Sequence, residues 1–286
     1  MSKIKSYKEC PRMVLKKYFK QREDVLMAFV FGSHAKKRAG RTSDWDIAVY
    51  FKPESPGVEW EASRDYPQER EILGYLIETL KTDNVDLIVL NRAPANLCAS
   101  AIKGLPLVIK DRRIFLEFML AVSRQAQDYQ QTASEFAQIY WRSHSLIRED
   151  RDILNKRLIF LESELNDINE FQKLTLLEYQ KDSMKRRQVE RWIENLMNAA
   201  IDISKTLLAS EKKTIPDTYR QVLENLEILG VFPEGTGKEL AYWVELRNIL
   251  AHEYLDIRWK RIEDFIKRSE PYFRNLIEAV KDKFLR

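Results

Sequence analysis

The stretch FGSHAKKRAGRTSDWDIAVYF, Phe31 to Phe51, decides how the first third of this chain is read. A Gly-Ser pair closes one apolar run, VLMAFVFG (Val25–Gly32), and two aspartates open another, DIAVYF (Asp46–Phe51). Short apolar runs bounded by glycine and polar turns read as buried strands. Asp44 and Asp46 stand two apart, so an extended chain points both carboxylates to one side. Two like charges held that close repel unless a cation joins them. Mg²⁺ is hard and is typically held by one or two carboxylates plus substrate phosphates. Gly32 lets backbone approach a phosphate, and Ser33 offers it a hydroxyl and an N–H. Lys36, Lys37, Arg38 and Arg41 lie between the two motifs as potential phosphate partners.

Outward from this stretch, NVDLIVLN (Asn84–Asn91) predicts a third strand carrying an acid, Asp86, in an otherwise apolar run. LPLVIKD (Leu105–Asp111) predicts a short edge strand, and QEREILGYLIETLKT an amphipathic helix. PESPGVEWEASRDYP (Pro53–Pro67) is rich in breakers and reads as a loop. His34 reads as an exposed turn residue. Strands mixed with helices give a small α/β sheet domain.

After Asp111 the strand signal stops. Residues 112–141 have no Gly or Pro and read as one long helix. Amphipathic stretches follow at 152–171, 187–210 and 237–254, then from Trp259 to the end, so the chain from about residue 146 reads as an antiparallel helical bundle. The expected division is residues 1–145, including the long trailing helix, and residues 146–286.

The bulk composition fits this. The chain has 286 residues, 44% of them hydrophobic, with two cysteines. Two cysteines make no disulfide framework, and reduced thiols in a cytoplasmic protein are the expectation. No apolar run approaches the ~20 residues that span a bilayer, so no membrane partner is expected. Residues 1–145 carry 23 Lys/Arg against 18 Asp/Glu, and residues 146–286 carry 25 against 26. A weakly positive front half suits a nucleoside triphosphate. One denser cluster, KDSMKRRQVER (Lys181–Arg191), reads as the solvated start of a helix or as an RNA-backbone contact.

A second stretch, RNILAHEY (Arg247–Tyr254), holds one of the three histidines. An arginine and a histidine with no acidic cluster nearby suit metal-independent RNA cleavage. The imidazole exchanges protons and the guanidinium stabilises the phosphorane. On an ideal helix at ~100° per residue, positions five apart diverge by ~140°. Asn248 and His252 share a stripe, and Arg247 shares one with Tyr254, so distortion or a second subunit is needed to focus Arg247 and His252.

The Gly-Ser, the spacing and the Asp-Trp-Asp resemble the signature of polymerase-β-type nucleotidyltransferases, over about residues 24–110. They are most similar to the minimal nucleotidyltransferases. This implies that Gly32, Ser33 and Ser43 hold the triphosphate of ATP. It implies that Asp44 and Asp46 bind catalytic Mg²⁺ (or Mn²⁺), with Asp86 as base or further ligand. Trp45 departs from the family's usual smaller aliphatic residue. Over about 147–286, Arg-Asn-x-x-x-His followed by Glu-Tyr resembles the HEPN superfamily of four- or five-helix bundles, and HepT toxins in particular. That resemblance implies a dimeric ribonuclease acting on RNA, with Arg247 and His252 catalytic, Asn248 supporting and Tyr254 the acceptor of AMP from a partner nucleotidyltransferase. Here both partners are fused. Two rival expectations are a small-molecule nucleotidyltransferase of the antibiotic-modifying kind and a catalytically inert nucleotide-binding dimer module.

Overall fold

The computed structural model describes residues 10–35, 43–54, 57–62, 64–142, 146–252 and 259–285. Two compact units divide the chain, residues 1–123 and 124–286.

Unit 1 begins with α1 (Pro11–Gln21), whose buried Leu15 and Phe19 recur at helical spacing. Strand β1 (Val25–Phe31) is almost wholly buried. A four-residue turn of helix, α2 (Gly32–Ala35), follows directly. Then come β2 (Trp45–Phe51), α3 (Gln68–Leu80), β3 (Val85–Val89), α4 (Ala95–Ile102) and β4 (Leu105–Ile109). The strands form one sheet in the order β3-β2-β1-β4. β1 pairs antiparallel with β2 and with β4, while β2 and β3 run parallel. The sheet is therefore mixed, and the expected edge position of β4 holds.

Alternation along β2 builds two buried faces. Ile47, Val49 and Phe51 join Leu15, Phe19, Ile72 and Leu76 in one apolar cluster. On the other face Tyr50 packs 4.9 Å from Phe118, which belongs to α5 (Arg112–Trp141). The stretch 53–67, expected as a loop, has no regular structure in its described part, but it is not a surface loop. Val58, Glu59, Trp60, Glu61 and Ala62 are all buried. Several of its polar groups are answered internally, as buried polar groups usually are. The Glu59 N–H donates to Tyr50 Oη at 2.8 Å, Tyr66 Oη donates to Glu59 Oε1 at 2.7 Å, and Trp60 Nε1 donates to the Ala93 carbonyl at 2.9 Å.

The boundary between the units falls inside α5. Asp111 starts that helix by accepting the N–H groups of Arg113 and Ile114. Unit 2 continues with α6 (Arg148–Asn166), α7 (Ile168–Phe171), α8 (Leu176–Lys181), α9 (Ser183–Ser210) and α10 (Tyr219–Glu224). A 3₁₀ turn, Asn225–Leu229, leads to α11 (Thr236–Tyr242), α12 (Val244–His252), α13 (Trp259–Arg268) and α14 (Glu270–Lys283). Asp182 caps α9 by accepting from the N–H groups of Met184 and Lys185, which starts the helix ahead of the predicted residue 187. The predicted single helix over 237–254 is broken at Trp243, whose ring is fully buried and meets Phe265 edge-on at 5.2 Å. One bundle core runs through Leu158, Leu161, Trp192, Leu196, Leu223, Leu240, Phe265 and Phe273.

Candidate functional site

In unit 1 the site grows from the crossing of β1 into α2. Gly32 takes φ +64°, a left-handed conformation that favours glycine. A Cβ placed there would sit 1.9 Å from Asp46 Oδ2. The turn after β1 is therefore pressed against the Asp46 carboxylate, and only a residue without a side chain fits.

The strand register gathers the acids. Asp46 pairs with Phe31 on one side and with Asp86 on the other. Asp44 immediately precedes β2. Burial pushes the Asp46 carboxyl above its ordinary value, and repulsion from Asp86 and then Asp44 adds to this, partly offset by His34. The three expected carboxylates thus act on one another electrostatically. Asp46 is half-buried while Asp44 and Asp86 are exposed. Among the described residues no three His, Cys, Asp or Glu side chains form a ready-made metal cage. An all-oxygen set with uncompensated negative charge still suits a hard cation that takes its remaining ligands from phosphates and water.

Ser33 lies in α2 and is half-buried. His34 is not the exposed turn residue expected. Its ring stacks on Trp45 with centroids 4.0 Å apart and 18° between planes, and its Nε2 lies 3.1 Å from the Ser43 carbonyl oxygen. The unusual tryptophan between the two aspartates therefore has a partner, and the pair ties α2 to the start of β2. Lys36, Lys37, Arg38 and Arg41 lie outside the described residues.

In unit 2, α12 carries Arg247 and Asn248, both buried. Arg247 Nε donates to Asn198 Oδ1 on α9 at 2.9 Å, and its Nη1 donates to Asn248 Oδ1 at 3.2 Å. The guanidinium lies 5.2 Å over the Tyr219 ring, and Lys205 Nζ lies 4.7 Å from the same ring. Each of these holders of Arg247 is neutral, so its charge stays available to an anion. The Asn248 Nδ2 is buried and has no partner among the described residues. His252 is the last residue of α12, and its side chain and Tyr254 lie outside what is described. Asn198, Lys205 and Tyr219 belong to neither motif. Their one signal in the sequence is Asn198 and Lys205 as polar residues among the apolar positions of a helix.

Residues 14–113 match the model of the polymerase β nucleotidyltransferase family, and residues 161–280 match that of the ribonuclease HepT-like family. The chain joins a nucleotidyltransferase domain to a HepT-like helical domain. No curated protein matches it. Solved structures with similar parts include two complexes. One is a toxin–antitoxin complex with AMP-PNP, at 17% identity and TM-score 0.43, covering 46% of this chain and 99% of that one. The other is a tri-AMPylated Shewanella oneidensis HEPN toxin bound to an MNT antitoxin, at 18% identity and TM-score 0.42, covering 46% of this chain and 98% of that one. No helix among the described residues is long and apolar enough to cross a membrane.

Proposed function

We propose that this chain is a fused toxin–antitoxin protein in which residues 1–145 transfer AMP from ATP to Tyr254, silencing an RNA-cleaving site in residues 146–286. The observation that carries the reading is the contact of the Gly32 turn with Asp46, itself paired with Asp86. A glycine turn whose backbone closely approaches a carboxylate, and a second carboxylate paired beside it in the sheet, meet at one point. Gly32, Ser33 and Ser43 line the approach of the triphosphate. Asp44, Asp46 and Asp86 are the residues that would hold Mg²⁺ or Mn²⁺, which supplies charge neutralisation at the phosphates. The Tyr254 oxygen attacks the α-phosphorus, the new O–P bond replaces the bond to pyrophosphate, and the phenolic proton passes to Asp86.

In the second half, Arg247 stabilises the charge that develops on the scissile RNA phosphate, with no metal needed, and His252 exchanges the protons. Asn248 supports Arg247. Two copies pairing through the helical bundle would bring a second Arg247–His252 set to the same cleft. AMP on Tyr254 places a bulky anion close to His252 in sequence and excludes RNA phosphate by charge and volume.

Intact mass and peptide mapping, before and after incubation with ATP and Mg²⁺, test this. The expected result is an AMP-sized increment on Tyr254 that the Asp44→Ala/Asp46→Ala variant lacks. A Tyr254 that stays unmodified in every condition overturns it.

A further inference from the structure

Helix α9 connects the arginine-rich cluster to the buried Arg247. We infer that Arg187 and Arg191 form a backbone track that leads single-stranded RNA toward Arg247. This rests on the ribonuclease reading of unit 2. Arg187, Arg191 and Asn198 fall within ~20° of one line along the helix at ~100° per residue, and the two arginines stand ~16 and ~10 Å from Asn198 at 1.5 Å rise. Asn198 is the residue that accepts the Arg247 Nε–H. The line changes character along its length. Met184 is 62% exposed, Arg187 and Arg191 are exposed, Glu194 and Asn198 are half-buried, and Lys205 is buried beside Tyr219. Two solvent-exposed arginines thus share a helix face with Asn198, the residue that holds the motif arginine.

The acidic groups along it do not cancel it. Arg191 pairs with Glu194 at 3.1 Å, the arginine 66% exposed and the glutamate 15%, so the guanidinium keeps N–H groups on its solvent side that a phosphate can meet. Glu190 is half-buried and accepts from the Tyr179 hydroxyl at 2.8 Å. That bond turns its carboxylate toward α8. Arginine presents a planar fork matched to phosphate. A single strand fits better than a duplex, because a line of two cations on one helix face follows one backbone and not two.

The test uses the full chain carrying His252→Ala, so that RNA is bound and not cut, with a fluorescein-labelled single-stranded RNA read by anisotropy across a salt titration. Arg187→Gln/Arg191→Gln in that background is expected to weaken binding by about tenfold. It should lower the slope of log affinity against log salt by about 1.4, roughly 0.7 for each phosphate that an arginine no longer neutralises. Arg148→Gln/Arg151→Gln, an exposed pair on α6, is the control and should change the slope far less. Equal weakening by both pairs, or none by the first, overturns the track. Binding of the first pair's region to phosphatidylserine vesicles with RNA affinity unchanged also overturns it. Failure of the underlying reading shows separately: RNA cleavage that survives His252→Ala removes the ribonuclease site itself, whatever the binding data.

Discussion

Gly32 and Asp46 are in direct contact across the turn from β1 to α2: no side-chain carbon fits between the Gly32 backbone and Asp46 Oδ2. Gly32→Ala would collide with the carboxylate and strain a left-handed backbone, a conformation costing about 1–2 kcal/mol for an L-residue. The expected outcome is a loss of AMP transfer of about 100-fold, near 2.7 kcal/mol at 1.36 per decade, with the protein still folded. Incorporation of α-labelled ATP measures the first and thermal melting the second. Full transfer by Gly32→Ala would sink the assignment.

His34 and Trp45 stack on the strand that carries the acids. Trp45→Ala is expected to raise KM for ATP about tenfold with a smaller change in kcat, and Trp45→Phe to restore most of it. His34→Ala should do the same, and the double variant should cost less than the sum of the two, as contacting residues do. Additive losses would show that the stack has no role of its own.

Asn198 holds the motif arginine from another helix. Asn198→Ala should slow RNA cleavage about tenfold, since a hydrogen bond to a charged group is worth about 1.5–3 kcal/mol. Asn198→Asp should slow it further, because a carboxylate beside Arg247 competes with the phosphate. Single-turnover cleavage of a defined RNA decides this. An Asn198→Asp protein as fast as wild type would rule it out.

Glu190 gives a pH dependence of stability. Burial is the leading cause of its raised carboxyl pKa, and the Tyr179 hydroxyl bond opposes it. The folded state therefore keeps this proton to higher pH than the unfolded chain. Stability is undiminished below the ordinary glutamate range and falls as pH rises through the folded value. Glu190→Gln removes that fall. Urea midpoints of the two proteins, compared between about pH 4 and 7, should separate in favour of Glu190→Gln as pH rises. Parallel profiles would refute the linkage.

Strand β2 and its alternation are legible in the sequence, whereas the pairing of Asp46 with Asp86 depends on the parallel register of β2 and β3, which no local pattern fixes. The helical half is legible from its apolar periodicity. His34 is not, because its ring partner is Trp45, eleven positions on in the sequence, and no local pattern announces a stack. The breaker-rich stretch 53–67 is legible as a loop, but its composition does not announce that Glu59 and Glu61 are buried within it. Tyr50 and Tyr66 satisfy Glu59 only once β2 and the loop have come together. The break at Trp243 is hidden because helical periodicity continues on both sides of it, while the one at Ser269 is signalled by Pro271 in the first turn of α14. Asn198 looks like any polar residue on a helix until α12 lies beside α9.

The Asn248 amide bears on how tightly unit 2 can hold a ligand. Its Nδ2 is buried with its hydrogens unanswered among the described residues, and such a group costs about 1–3 kcal/mol in desolvation. An incoming oxygen that accepts from it relieves a penalty already present in the folded chain. Part of the affinity for that oxygen is therefore set at folding, as a debt of hydration that the ligand settles on arrival.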